Sequence, residues 1–91
     1  MKTKVVNIGK SEPYDVYIGR PSKWGNPFLI GKDGTREEVI KKYVDWFWTT
    51  SLIEDLNELK GKRLGCYCKP LACHGDFLIN LIEMEAEFDI Y

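Results

Sequence analysis

The sequence predicts a compact single-domain α/β sandwich with a small sheet, its elements in the approximate order β-β-α-α-β-α over residues 1–91. Three observations carry that expectation. Short β-branched and alternating runs open the chain, a capping box starts an amphipathic stretch in the middle, and a strand–loop–helix pattern follows a glycine stop near the end. No internal repeat and no composition shift marks a second domain.

Lys4 to Ile8 (KVVNI), ended by Gly9, reads as a first strand. Tyr14 to Ile18 (YDVYI) alternates, with Val16 and Ile18 on one face and Tyr17 on the other, and reads as a second. The loop GRPSKWG and Asn26-Pro27 come next, long for a chain of this size, and long loops in small domains tend to carry function. Thr35-Arg-Glu-Glu38 has the capping-box form, and Val39, Ile40, Tyr43, Val44 and Phe47 follow at helical spacing. Trp46 and Trp48 fall partly off that stripe and read as core or rim packing. Thr49-Thr50-Ser51 breaks the helix and caps another, with Leu52, Ile53, Leu56 and Leu59 buried and Gly61 as its stop. Leu64 to Cys68 is then a strand, Lys69 to Ala72 a loop, and Cys73 to about Met84 a helix with Phe77, Leu78, Leu81 and Ile82 inward. The tail AEFDIY is acidic and aromatic and could add an edge strand.

Composition narrows the function classes. Charged residues make up 30% of the 91 and hydrophobic ones 44%, the balance of a folded chain. A net charge of −1 supplies no global basic field, which argues against duplex nucleic acid as a partner. No apolar run approaches a membrane span and the N-terminus lacks the apolar core of a signal peptide. Three closely spaced cysteines do not form a disulfide framework and point to a reducing, cytoplasmic compartment.

All three cysteines (Cys66, Cys68, Cys73) and the single histidine (His74) lie within nine consecutive residues. Three chemistries suit that cluster. A zinc site could use Cys66, Cys68, Cys73 and His74, a complete ligand set by type. The spacing C-x-C-x4-C-H is not a standard knuckle, and adjacent residues on a helix diverge by about 100°. An anion or nucleotide site could use the amides of Cys73, His74 and Gly75 at the helix start, with His74 or Asp76 on a hydroxyl. Neither the glycine-rich dinucleotide fingerprint nor a phosphate loop is present. Finally, the cysteines could be small core hydrophobes, or Cys73 a nucleophile whose thiol the helix start activates, with His74 beside it.

The other concentration of chemistry is Gly19 to Phe28. Arg20 offers a bidentate phosphate ligand, Lys23 a point charge, Trp24 a stacking face, and Asn26 either a ring-edge reader or a brace for the turn. Phe28 reads as core, and Asp33-Gly34 as an ordinary turn.

At these motifs the chain resembles a family of small phage and bacterial proteins known as domain of unknown function 4326. The matching segments are VYIGRPSKWGNPF (Val16–Phe28), IGKDGTREEVIKKY (Ile30–Tyr43) and LGCYCKPLACHGDFL (Leu64–Leu78), about half the chain. The resemblance implies a phage context, hence the host cell's cytoplasm, and that the two motifs serve one site; it brings no established activity. The strand–Cys-His–helix ending is also similar to that of small α/β families with nucleotide-related roles, an analogy of form alone.

The functional expectation is therefore a protein that binds a nucleotide-like, phosphate-bearing small molecule between the two motifs. In a phage setting it would sequester a nucleotide-derived immune signal such as a cyclic nucleotide or an ADP-ribose derivative. Two alternatives stand beside it. One is an enzyme hydrolysing such a nucleotide or cleaving its glycosidic bond, with His74 or Asp76 as acid/base and Cys73 as nucleophile. The other is a zinc-stabilised interaction module. Trp46, Trp48 and the Phe88–Tyr91 tail also offer apolar surface for a homodimer.

Overall fold

The central strand of the sheet is the last in sequence. A computed structural model describes residues 2–69 and 71–88 of the chain. It contains strands β1 (Lys4–Asn7), β2 (Val16–Tyr17) and β3 (Arg63–Cys66) and helices α1 (Arg36–Phe47) and α2 (His74–Phe88). One 3₁₀ turn follows β1 at Ile8–Lys10, and a 3₁₀ helix covers Leu52–Glu58. The order of elements is the expected one, and the class is mixed α/β. The second helix differs in type. Ser51 makes no side-chain cap bond and only seven residues are wound, too few to offset α-helix nucleation, so the tighter spiral results.

The sheet runs β1-β3-β2, with β3 parallel to both neighbours. Val5 and Val16 both register on Leu64, one on each side. Single bonds extend the short β2 ladder, from the Asp15 amide to Arg63 O (2.9 Å) and from the Ile18 amide to Gly65 O (3.0 Å). Parallel pairing has one consequence that governs the site. The carboxyl ends of all three strands lie at one edge, so the loops leaving β2 and β3 emerge side by side although distant in sequence.

α2 packs on β1, and α1 packs on α2. Close approach of α2 depends on Gly75, where a Cβ would stand 2.8 Å from both Val5 Cγ2 and Ile18 Cδ1. Ile18, Tyr43, Phe47, Leu59, Leu64 and Leu78 are wholly buried around this junction. The capping box of α1 is complete: Thr35 Oγ1 accepts from the Glu38 amide (3.2 Å) and Glu38 Oε1 from the Thr35 amide (2.9 Å). Gly34, at φ +141°, lets the chain enter it; a Cβ there would meet Glu38 Cβ at 2.8 Å.

The entry to β2 is clamped to β3 by Asp15. Its carboxylate accepts from the Arg63 amide (2.8 Å) and from Nε and Nη2 of the same guanidinium (3.0 Å each). The Arg63 hydrogen bonds hold the Asp15 carboxyl at about 2, below its ordinary 3.8. Trp46 is half-buried against the core, whereas Trp48 is exposed. Residues 89–91 of the expected apolar tail lie outside the described residues. Among the described residues no helix is long and apolar enough to cross a membrane.

Candidate ligand cleft and thiol cluster

At the carboxyl edge of the sheet lies a cleft of about 550 Å³. One wall is the loop after β2, with Tyr17, Gly19, Arg20, Asn26 and Phe28, continued by Leu29 and Ile30. The first turn of α1 supplies Arg36, Val39 and Ile40. The opposite wall is the end of β3 and the start of α2, with Cys66, Tyr67, Cys68, Ala72, Cys73 and His74. Two guanidinium groups, three aromatic rings and three thiols thus face one space.

Of the residues singled out in the first loop, Arg20 and Asn26 line the cleft, and Lys23 and Trp24 do not. Trp24 is a correction: at 2% exposure it is a core side chain and offers no stacking face. Its carbonyl accepts from the Tyr43 hydroxyl (2.8 Å), which fastens the loop to α1. Lys23 is a correction for a different reason. It lies over the Trp24 ring at 5.4 Å and pairs with Asp55 (3.1 Å) and Glu58 (2.9 Å) on the 3₁₀ helix. Asn26 braces rather than reads, since Nδ2 donates to Val39 O (3.1 Å) and Oδ1 accepts from the Phe28 amide (2.9 Å). Arg20 makes one long bond, to Asn26 O at 3.4 Å, and is exposed on the cleft. Phe28, read as core, is half-buried and lines the cleft.

The start of α2 is also spent differently from the anion-cradle expectation. The Cys73 amide donates to Asp76 Oδ2 (3.1 Å) and the Gly75 amide to Cys73 Sγ (3.4 Å), so both donors are engaged within the turn. Asp76 is ion-paired with Lys69 (2.7 Å) and is not in the cleft lining. Gly75 serves helix–sheet packing, not ligand approach. His74 is buried, with Nε2 2.7 Å from Ile18 O. A carbonyl can only accept, so Nε2 carries the proton; burial disfavours the imidazolium and lowers the pKa, leaving Nδ1 bare. Nδ1 stands 3.5 Å from Cys73 Sγ, whose thiol is then the donor.

The three sulfurs gather tightly. Cys66 Sγ and Cys73 Sγ are 2.9 Å apart, and the sulfurs of Cys66, Cys68 and Cys73 all lie within 4.8 Å of one another. The Cys68 amide donates to Cys66 Sγ at 3.4 Å. Cys68 ionises most easily, since the neighbouring Cys66 and Cys73 thiols, and then the Arg36 guanidinium, favour its thiolate. Cys66 is held up by Cys68, and Cys73 by its two thiol neighbours together with burial. His74 stands outside this three-thiol group, which corrects the four-residue ligand set.

Sequence reasoning missed Arg36, Tyr17 and Tyr67. Arg36 had a signal: it shares the helical face of Val39 and Ile40 at spacings of three and four, a cation at the end of an apolar stripe. Its Nη1 donates to Ala72 O (3.0 Å), joining α1 to the loop before α2.

Comparison with known proteins places the chain in a family. It belongs to the family described as "Domain of unknown function (DUF4326)", whose model matches residues 2–84. It is similar to the "Uncharacterized protein R718" of Acanthamoeba polyphaga mimivirus, 37% identical over 93 residues, covering 82% of this chain and 72% of that protein. It is also similar to the "Uncharacterized 12.4 kDa protein in nrdA-td intergenic region" of Enterobacteria phage T4, 40% identical over 85 residues, covering 87% of this chain and 76% of that one. No solved structure matches the chain.

Proposed function

We propose that the cleft binds a nucleotide-like, phosphate-bearing small molecule. The observation that carries this reading is the convergence of Arg20 and Arg36 with the rings of Tyr17, Phe28 and Tyr67 on one space of about 550 Å³, the size of a small-ligand pocket. A guanidinium fork matches phosphate oxygens in pairs, and an aromatic face accepts a base or sugar edge. Binding without turnover is favoured because Asp76 is paired with Lys69 outside the cleft lining, and His74 is buried with Nε2 on the Ile18 carbonyl and Nδ1 on the Cys73 thiol. Both relatives come from viruses, which supports a role in sequestering a nucleotide-derived signal inside an infected cell.

Titration calorimetry against ADP-ribose, cyclic mononucleotides and cyclic dinucleotides tests the proposal. At least one should bind with micromolar or tighter affinity, and Arg20→Ala should weaken it at least tenfold, about 1.4 kcal/mol. Chromatography of the released ligand should recover it intact. Absence of binding across the panel, with Arg20→Ala indistinguishable from the parent, overturns the proposal. A cleaved product overturns the sequestering role in favour of an enzyme.

A further inference from the structure

We infer that Cys66, Cys68 and Cys73 bind a single zinc ion in the cleft wall, with the fourth coordination position open to the cleft. This inference is independent of the nucleotide proposal. It begins with topology. Cys66 ends β3, Cys68 lies in the turn that follows, and Cys73 precedes the first residue of α2, so one strand-to-helix connection folds back to bring three sulfurs together. Their separations, from 2.9 Å for Cys66–Cys73 up to at most 4.8 Å, bracket what an ion requires. Zinc–sulfur bonds of about 2.3 Å in tetrahedral geometry place sulfurs about 3.8 Å apart, so the closest pair must open by roughly 1 Å.

The surroundings suit thiolates. Backbone amides of Cys68 and Gly75 point at the sulfurs of Cys66 and Cys73, each at 3.4 Å, the outer contact that stabilises a metal-bound sulfur. The Arg36 guanidinium lines the same cleft as Cys68 and would offset the net negative charge of three thiolates on a divalent ion. Two of the three cysteines are buried and the third is half-buried, which limits competition from water. Soft sulfur donors select zinc over magnesium or calcium. Three protein ligands leave one position for water or for an anionic atom of a molecule entering the cleft. His74 is not counted among the ligands: the group of ligand atoms that all lie within 4.8 Å of one another is Cys66, Cys68 and Cys73.

Elemental analysis of protein expressed with added zinc and purified under reducing conditions should find about one equivalent of zinc. Cobalt(II) titrated into the metal-free protein should give a thiolate-to-cobalt charge-transfer band and intense visible bands of a tetrahedral site. Cys68→Ser should weaken cobalt binding by more than about 100-fold, beyond the 10–100-fold of an outer-contact loss. Cys68 is chosen because it is the least buried of the three, so the variant should keep its circular dichroism spectrum; should it fail to fold, the parent's cobalt titration decides. Less than about a tenth of an equivalent of zinc together with no charge-transfer band overturns the inference. So does unchanged cobalt affinity in Cys68→Ser, or a Cys66–Cys73 disulfide in the purified protein.

Discussion

The loop after β2 and the connection after β3 reach the same cleft by opposite means. In the first, most of the chemistry that looks directed outward holds the fold together. Trp24 is buried, Lys23 spans to Asp55 and Glu58, and Asn26 bonds the loop to α1 with both ends of its amide. Of the loop's charged and aromatic side chains, Arg20 and Phe28 remain on the cleft. In the second, the unusual residues do face inward on one another, with three sulfurs gathered at the cleft wall. Charge and aromaticity in a loop are weak guides because an irregular segment needs anchors of its own. The concentration of a rare side-chain type is a better guide, since packing alone has no need of it.

The largest effect that tests this contrast is on stability. Trp24→Ala should cost about 3–5 kcal/mol, a large part of what holds so small a domain, and should lower the urea midpoint accordingly. A midpoint unchanged by that substitution would return Trp24 to the ligand. Next in size is a binding contrast across the loop. Arg36→Ala should weaken the nucleotide ligand about tenfold, whereas Lys23→Ala should leave affinity unchanged in calorimetry and alter stability only slightly, because its two ion pairs are exposed. Equal losses from both would erase the distinction between anchor and ligand contact.

The smallest effect concerns acid. Asp15, with its carboxyl held at about 2 by the Arg63 hydrogen bonds, contributes stability that is complete above its ordinary value of 3.8. That contribution fades as pH falls through about 2. Asp15→Asn should therefore flatten the acid limb of a stability–pH curve between those values and be visible at neutral pH as a lower urea midpoint. An identical acid limb in the variant would show that the clamp on β2 contributes nothing.

Much of this molecule was legible from its residues because local signals agree with the fold. The Thr35–Glu38 capping box forms both of its bonds, and Gly61, at φ +73°, turns the chain two residues after the Leu59 cap of the second helix. The helical stripe places Val39, Tyr43 and Phe47 in the core. What was not legible is long-range. Strands of two to four residues carry no pairing information, so nothing local announces that β1 and β2 both flank β3 in parallel. The partners of Lys23 and Lys69 are likewise set by which elements meet, and the sequence shows only that acids exist. Gly75 was open to two meanings, close approach to a ligand or to a sheet, and the contacts at Val5 and Ile18 decide for the sheet.

Two parallel strands deliver two separate loops to one cleft, where the proposed ligand would touch both. Amide chemical-shift mapping by NMR during titration with ADP-ribose and with cyclic nucleotides, carrying forward whichever binds in calorimetry, tests that most directly. Signals from residues 17–28 and from residues 66–74 should shift together and fit one dissociation constant. Shifts confined to one of the two loops, or two unrelated constants, would contradict it.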